Sequence, residues 1–257
     1  MRRVKTFFEN LLFPPRCVSC HSFLQDNILD ACNSPLCRRC RLEWEREKGE
    51  DCPDCGLELT NCCCIPSRLK KVGVQHAVKL VNYFSMRETV GHRAILSMKK
   101  HANHKVISFF AAQLSYPIRR YMAEQGLSDD EVALCYVPRG RRNVAKYGFD
   151  QSQLLCRSLA EAFGMPSYTL FRRVSRRGVE QKKLSAKERE ENLQNRYAVN
   201  ARAVRELPDT VRCLLLIDDI VTTGESMCRC VKAIGAYFDG EIVAVSIART
   251  PKRQAGS

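Results

Sequence analysis

The stretch from Cys213 to Ser226, Cys-Leu-Leu-Leu-Ile-Asp-Asp-Ile-Val-Thr-Thr-Gly-Glu-Ser, constrains the fold more than any other part of the chain. Residues 214–217 are an apolar run without polar alternation, the pattern of a strand covered on both faces and so of a parallel sheet. The run ends on two adjacent carboxylates, Asp218 and Asp219. Two apolar residues follow, then a small hydroxylated loop over 222–226 that leads into a helical pattern over 225–237. A loop entering a helix offers free N–H groups and the positive end of a dipole, which suits a phosphate. Carboxylates at the carboxyl end of a strand suit sugar hydroxyls or a hydrated Mg²⁺. An ordinary turn accounts for 214–217 and Gly224 but not for the paired acids, since neighbouring like charges repel unless a ligand or cation answers them. A phosphoaspartate or metal pocket would use the acids as well. The loop Thr222, Thr223, Gly224, Glu225, Ser226 turns the reading toward a phosphorylated sugar.

The rest of the carboxyl-terminal part alternates strands with helices, which implies an α/β fold with a doubly wound parallel sheet. Strand character is expected over 75–84, 132–137 and 242–247, and helices over 86–100, 105–122 and 152–163. Val90, Ile95 and Met98 face inward in the first helix, and Leu155, Leu159 and Phe163 in the third, which Gly164 stops. Lys99, Lys100, His101 and His104 gather near the end of the first. The segment Val137-Pro138-Arg139-Gly140-Arg141-Arg142 ends a strand and carries three arginines around a glycine. It reads as a solvated basic turn or as a second anion loop. Residues 171–190 hold eight basic residues against three acids. Such a stretch suits a mobile loop closing over an anion or a nucleic-acid groove, with Arg172, Arg173, Arg176, Arg177, Lys182 and Lys183 as the contacts.

Ten of the fifteen cysteines fall between Cys17 and Cys64. Three C-x-x-C pairs and a final cluster at this density predict structural zinc, each pair presenting two thiolates at about 2.3 Å from one tetrahedral ion. The sequential assignment gives Cys17, Cys20, Cys37 and Cys40 to one ion, and Cys52, Cys55, Cys62 and Cys64 to a second. Spacing alone also permits an interleaved arrangement, and Cys32 and Cys63 are left over. All-thiolate sites with no open position stabilise and do not catalyse. Between the pairs, 41–48 reads as a short charged helix with Leu42 and Trp44 as apolar contacts, and 65–74 reads as a linker. The chain therefore divides into a cysteine-rich module over 1–70 and an α/β domain over 71–257. A formal charge of +14 predicts attraction to polyanions. No apolar run approaches the roughly 18 residues that cross a bilayer. Residues 1–13 lack the core of a signal peptide, so no membrane insertion and a cytoplasmic location are expected.

The segment 213–226 resembles the phosphoribosyl pyrophosphate (PRPP) signature of type I phosphoribosyltransferases: apolar run, Asp-Asp, two apolar residues, Thr-Thr-Gly-x-Ser/Thr. That resemblance implies ribose hydroxyls on Asp218 and Asp219, the 5′-phosphate in the loop 222–226, and Mg²⁺ with the PRPP. It also implies pyrophosphate on Lys99, Arg139, Gly140 and Arg141. Nearly the whole chain resembles the ComF family, in which a zinc-ribbon module is fused to a phosphoribosyltransferase-like domain. The matching residues are the C-x-x-C series from Cys17, Lys99, Val137-Pro138, Gly148-Phe149-Asp150-Gln151, Gln181, Leu184-Ser185, Arg189, Asn192, 214–226 and Ala248-Arg249-Thr250. The family commonly has Arg-Gly-Phe-Asn-Gln where this chain has Tyr147-Gly148-Phe149-Asp150-Gln151, and the preceding loop is shorter. The resemblance implies a role in DNA uptake, with single-stranded DNA and an uptake helicase as partners. A PRPP-dependent transferase acting on a base or another acceptor is the alternative it allows.

Overall fold

Strand β7 (Cys213–Val221) is the axis of the fold, and its side chains divide the core in two. Residues of a strand point alternately to its two faces. Cys213, Leu215 and Ile217 join one buried cluster, and Leu214 and Leu216 the other. Strand β3 (Val132–Tyr136) divides the same way. The computed structural model describes residues 14–24, 34–59, 61–84, 87–174 and 197–252. The elements before β3 are α1 (Arg38–Lys48), α2 (Ser67–Lys70), β1 (His76–Val78), β2 (Val81–Asn82), α3 (Val90–Lys100) and α4 (His104–Glu124). After β3 come α5 (Arg141–Tyr147), α6 (Gln151–Phe163), β4 (Ser167–Tyr168), β5 (Phe171–Arg173), β6 (Tyr197–Val199) and α7 (Ala201–Arg205). Helix α8 (Glu225–Ile234) and β8 (Glu241–Arg249) follow β7.

The sheet is parallel, in the order β1–β8–β7–β3–β4, with β2 continuing the line of β1 along β8. Helices α3, α4 and α6 cover one face; α8, α7 and α2 cover the other. The α/β expectation is therefore met. From β3 the chain leaves through α6 toward β4, whereas from β7 it leaves through α8, on the opposite face, toward β8. The strand order thus reverses between β3 and β7. Open parallel sheets bind ligands in the crevice at such a point, outside the carboxyl ends of the strands.

Several boundaries differ from the sequence reading, each for a physical reason. β7 does not end before the acids but pairs onward, Asp218 opposite Ser246 and Ile220 opposite Ala248. The strand expected over 75–84 is interrupted where buried Lys79 turns to donate to the Cys62 carbonyl at 2.7 Å. The helix expected from residue 86 starts at Val90, because the Thr89 hydroxyl caps it by accepting from His92 N. Helix α5 and the antiparallel β5–β6 pair were not expected. Leu42, read as an apolar contact of α1, is exposed. It lies two residues from Trp44, and positions i and i+2 do not share a helix face.

Trp44 is 1 % exposed and ties the cysteine-rich segment to the sheet's helices. Its ring packs edge-on to Phe110 at 5.8 Å, and its Nε1 donates to Gln113 Oε1 at 3.2 Å. Burying an aromatic ring of this size removes about 150–250 Å² from water, worth about 4–6 kcal/mol at ~25 cal/mol/Å². Three residues on, the Glu47 carboxylate accepts from Val90 N at 2.6 Å and Gly91 N at 2.9 Å, capping α3 from another helix. Gly91 permits this approach, since a Cβ there would lie 2.9 Å from both Trp44 and Glu47. The stretch read as a linker is packed: Ile65, Leu69 and Val74 belong to the second core cluster. Among the described residues no helix is long and apolar enough to cross a membrane.

Candidate functional site

The crevice at the carboxyl ends of β3 and β7 gathers residues from five elements. Asp218 and Asp219, being adjacent on a strand, leave it in opposite directions and meet different partners. Asp219 Oδ2 accepts from Gln151 Nε2 at 2.9 Å and lies 3.4 Å from Lys99 Nζ. Asp218 Oδ1 accepts from Ser152 Oγ at 3.0 Å and from Asp219 N at 2.9 Å. Burial, then the charge of Asp219, push the Asp218 carboxyl well above the usual carboxylate range, with Lys99 opposing. A pair held in this way is poised to take a cation or a hydroxyl donor.

The loop after β3 forms the opposite wall. Arg139 N donates to Asp150 Oδ2 at 2.6 Å, while Asp150 Oδ1 accepts from the backbone of Ser152 and Gln153 and so caps α6. The acid at position 150 thus fastens the loop to the helix that carries Gln151 and Ser152. The Arg139 guanidinium lies over the Tyr147 ring at 4.6 Å. From β5, Arg173 reaches the loop so closely that a Cβ on Gly140 would be 2.9 Å from its Nη1. Arg173 also lies over the Tyr197 ring at 5.6 Å. Among the described residues, Arg139 Nη1 and Gln151 Oε1 are buried without a hydrogen-bond partner. One is a donor and the other an acceptor, and buried polar atoms are ordinarily paired, so this crevice suits a polar ligand carrying both kinds of group.

On the β7 side, Gly224 sits at φ 74° and caps α8. A Cβ there would meet Leu69 Cγ at 3.0 Å and Pro66 Cβ at 3.2 Å. Gly224→Ala should therefore destabilise the protein by about 1–2 kcal/mol, the cost of a left-handed conformation with a side chain, read as a lower urea midpoint at unchanged slope. An unchanged midpoint would remove the steric argument. Thr222 and Thr223 are exposed at the loop tip, and Ser226 is half-buried against the Tyr197 hydroxyl. Glu225 faces elsewhere: it pairs with Arg229 at 2.7 Å and Arg68 at 2.6 Å, and the Arg229 hydrogen bond holds its carboxyl below the usual range.

Among the sequence candidates, the structure brings together Lys99, Arg139, Gly140, Asp218, Asp219 and the 222–226 loop except Glu225, and starts α5 with an exposed Arg141. It adds Ser152 and Tyr197, and brings Arg173, a candidate for nucleic-acid contact, to the same crevice. Ser152 was legible as a hydroxyl at a helix start, and Gln151 as part of Gly-Phe-Asp-Gln; nothing local in the sequence aims Tyr197 at this crevice. Arg172 and Arg173 lie on β5, the first exposed and the second half-buried at the crevice. Arg176, Arg177, Lys182 and Lys183 lie outside the described residues, as do Cys32 and Gln181.

The cysteines form two sequential quartets, Cys17, Cys20, Cys37, Cys40 and Cys52, Cys55, Cys62, Cys64, each with its sulfurs within 4.8 Å of one another. Each can hold a metal ion. Both begin with the same knuckle. Cys17 N donates to Ser22 O and Cys52 N to Leu57 O, and the residue after the second cysteine adopts positive φ, His21 at 62° and Gly56 at 71°. The Ser22 hydroxyl brings the Cys20 thiol down to about 6. Cys63 is exposed outside its quartet. The second knuckle clasps the sheet through Asp54, which binds the buried Arg249 guanidinium at the end of β8.

Fold and site together define an α/β protein with a parallel sheet, a crevice at its switch point and two Cys₄ groups in its amino-terminal segment. No family model matches the chain. It is 27% identical over 186 residues to the DNA utilization protein YhgH of Salmonella typhimurium strain LT2, covering 71% of this chain and 76% of that protein. It is 26% identical over 178 residues to the proteins of the same name from Escherichia coli strain K12 and Shigella flexneri, covering 68% of this chain and 74% of theirs. Among solved structures, TT1426 from Thermus thermophilus matches with a TM-score of 0.31 and 17% identity, over 58% of this chain and 86% of that one.

Proposed function

We propose that this chain is a ComF-type protein of DNA uptake that binds single-stranded DNA and holds PRPP with Mg²⁺ in the switch-point crevice. The observation that carries the ligand reading is the acid pair Asp218–Asp219 at the carboxyl end of β7, beside a loop that enters a helix through Gly224. In this reading the acids take the ribose hydroxyls or the hydrated metal, the 222–226 loop takes the 5′-phosphate, and Lys99, Arg139 and Arg173 take the pyrophosphate. The charge of +14 and the relatives named for DNA utilization support the nucleic-acid part. The two quartets hold Zn²⁺ as closed structural sites, in a module over 1–70 fused to a phosphoribosyltransferase-like domain over 71–257. The protein acts in the cytoplasm beside an uptake helicase.

A second reading, a PRPP-dependent transferase, is favoured by the cations facing the acid pair. Transfer from PRPP proceeds largely by stabilising a departing pyrophosphate and needs no strong base. Calorimetry with PRPP and Mg²⁺, anisotropy of a labelled oligothymidylate, and pyrophosphate release test both readings on the wild type and on Asp218→Ala/Asp219→Ala. Expected are PRPP binding lost in the double variant and DNA binding retained in it. No PRPP binding by the wild type overturns the ligand reading, and pyrophosphate release that the double variant abolishes selects the transferase.

A further inference from the structure

Helix α2 is a single turn, about 6 Å long, between two cationic hollows. One, of about 410 Å³, lies between α2 and α8 and is lined by Arg68, Lys71, Val72 and Lys232. The other, of about 440 Å³, lies between the second cysteine knuckle and the end of β8 and is lined by Pro53, Asp54, Ile65, Lys70, Arg249 and Lys252. Together they present six cations, against carboxylates at Asp54 and Glu225. Lys70, Lys71, Lys232 and Lys252 are exposed. Arg249, by contrast, is 3 % exposed; its Nη2 meets Asp54 and the Cys52 sulfur, while its Nε is buried without a hydrogen-bond partner among the described residues. A buried, incompletely paired guanidinium at a concave, cation-lined surface fits an anionic ligand.

We propose that this band over α2 is the track of a single-stranded nucleic acid, with the phosphate backbone on Lys70, Lys71 and Lys232 and bases entering the hollows beside Pro53, Ile65 and Val72. The inference rests on the reading of the chain as a single-strand binder and places the strand outside the 171–190 segment. The cations lie in and between concavities. A duplex, a stiff rod with its bases stacked inside, does not follow such a surface, whereas a flexible strand does and can splay its bases against apolar walls. Leu69 packs beneath Gly224 on the underside of α2, so the strand runs directly past the outer side of the phosphate loop.

The test uses the full-length, metal-loaded protein and a fluorescein-labelled oligothymidylate, read by anisotropy over a series of salt concentrations. Lys70→Gln/Lys71→Gln/Lys232→Gln removes three exposed charges and leaves the fold and the crevice intact. It should weaken binding at least tenfold at low salt and reduce the slope of log K against log salt by about 2, at about 0.7 for each phosphate no longer neutralised. The charge-matched variant Arg38→Gln/Arg46→Gln/Lys105→Gln should leave that slope unchanged. Equal losses in both variants would mean a diffuse charge effect and overturn the track, as would a duplex of the same length competing as well as the single strand. If the wild type binds no oligonucleotide, the functional reading itself fails. If it binds and the α2 variant keeps its slope, only the track fails.

Discussion

Stripping metal from the cysteine quartets is expected to unfold the α/β sheet along with the cysteine-rich segment, in one transition. Cys17, Leu36, Cys40 and Trp44 belong to the same buried cluster as Ile95, Phe110, Leu215 and Ile217. The Glu47 carboxylate caps α3, and Arg93 Nε donates to Ser19 Oγ at 2.9 Å between the first two cysteines. The second quartet is tied to the sheet edge as firmly, through Lys79 on the Cys62 carbonyl and Asp54 on Arg249. Structural zinc contributes roughly 10–16 kcal/mol of apparent binding energy in zinc-finger peptides, and a whole domain is stable by only about 5–15 kcal/mol. Loss of the ions therefore reaches the entire core. The chain reports on itself, because Trp44 is its only tryptophan and is buried at the junction. During a chelator titration, the red shift of Trp44 emission and the loss of far-ultraviolet ellipticity should coincide. Trp44 exposed while most ellipticity persists would instead make residues 1–70 a module that folds separately.

That junction was largely hidden in the sequence, whereas the quartets were not. Two cysteines three residues apart share one turn, so their convergence is a local property that spacing expresses directly. The covered strand β7 was legible for a related reason: apolar residues on both of its faces require layers on both sides. Its continuation through Asp218 and Asp219 was not legible, because the partner that holds the backbone there is β8, and backbone pairing overrides what two acids suggest locally. The contacts that shape the site share this long-range character. Glu47 at the start of α3, Arg173 against Gly140, Leu69 beneath Gly224 and Asp54 on Arg249 each join residues far apart in the chain, with no periodicity to betray them. Arg172 and Arg173 show the same effect in miniature. Both read as members of one basic loop, yet strand alternation sends one to solvent and the other to the crevice.

Asp218→Asn should make the protein more stable at neutral pH while abolishing the binding of Mg²⁺ with PRPP. Asn keeps the Oδ1 that accepts from Ser152 and from Asp219 N, so the local hydrogen bonds survive. What disappears is a carboxylate that burial and the charge of Asp219 drive well above its ordinary pKa. The sign follows from linkage. A carboxyl whose folded pKa is raised holds its proton more tightly in the folded state, so the stability this confers is full below the unfolded pKa and is lost as pH rises through the folded one. At pH 7.5 the wild type therefore carries a penalty that the variant lacks. Calorimetric melting should place the variant above the wild type by about 2–4 °C for each kcal/mol relieved, with the gap closing toward pH 4. Adding Mg²⁺ and PRPP should reverse the order, since a ligand that binds only the folded wild type raises its melting temperature in proportion to the logarithm of its concentration. A variant less stable than the wild type at every pH would make Asp218 a structural acid and leave the crevice without its ligand. A gain in stability joined to loss of the ligand shift would mean that the repulsion between these two adjacent acids is kept because binding answers it.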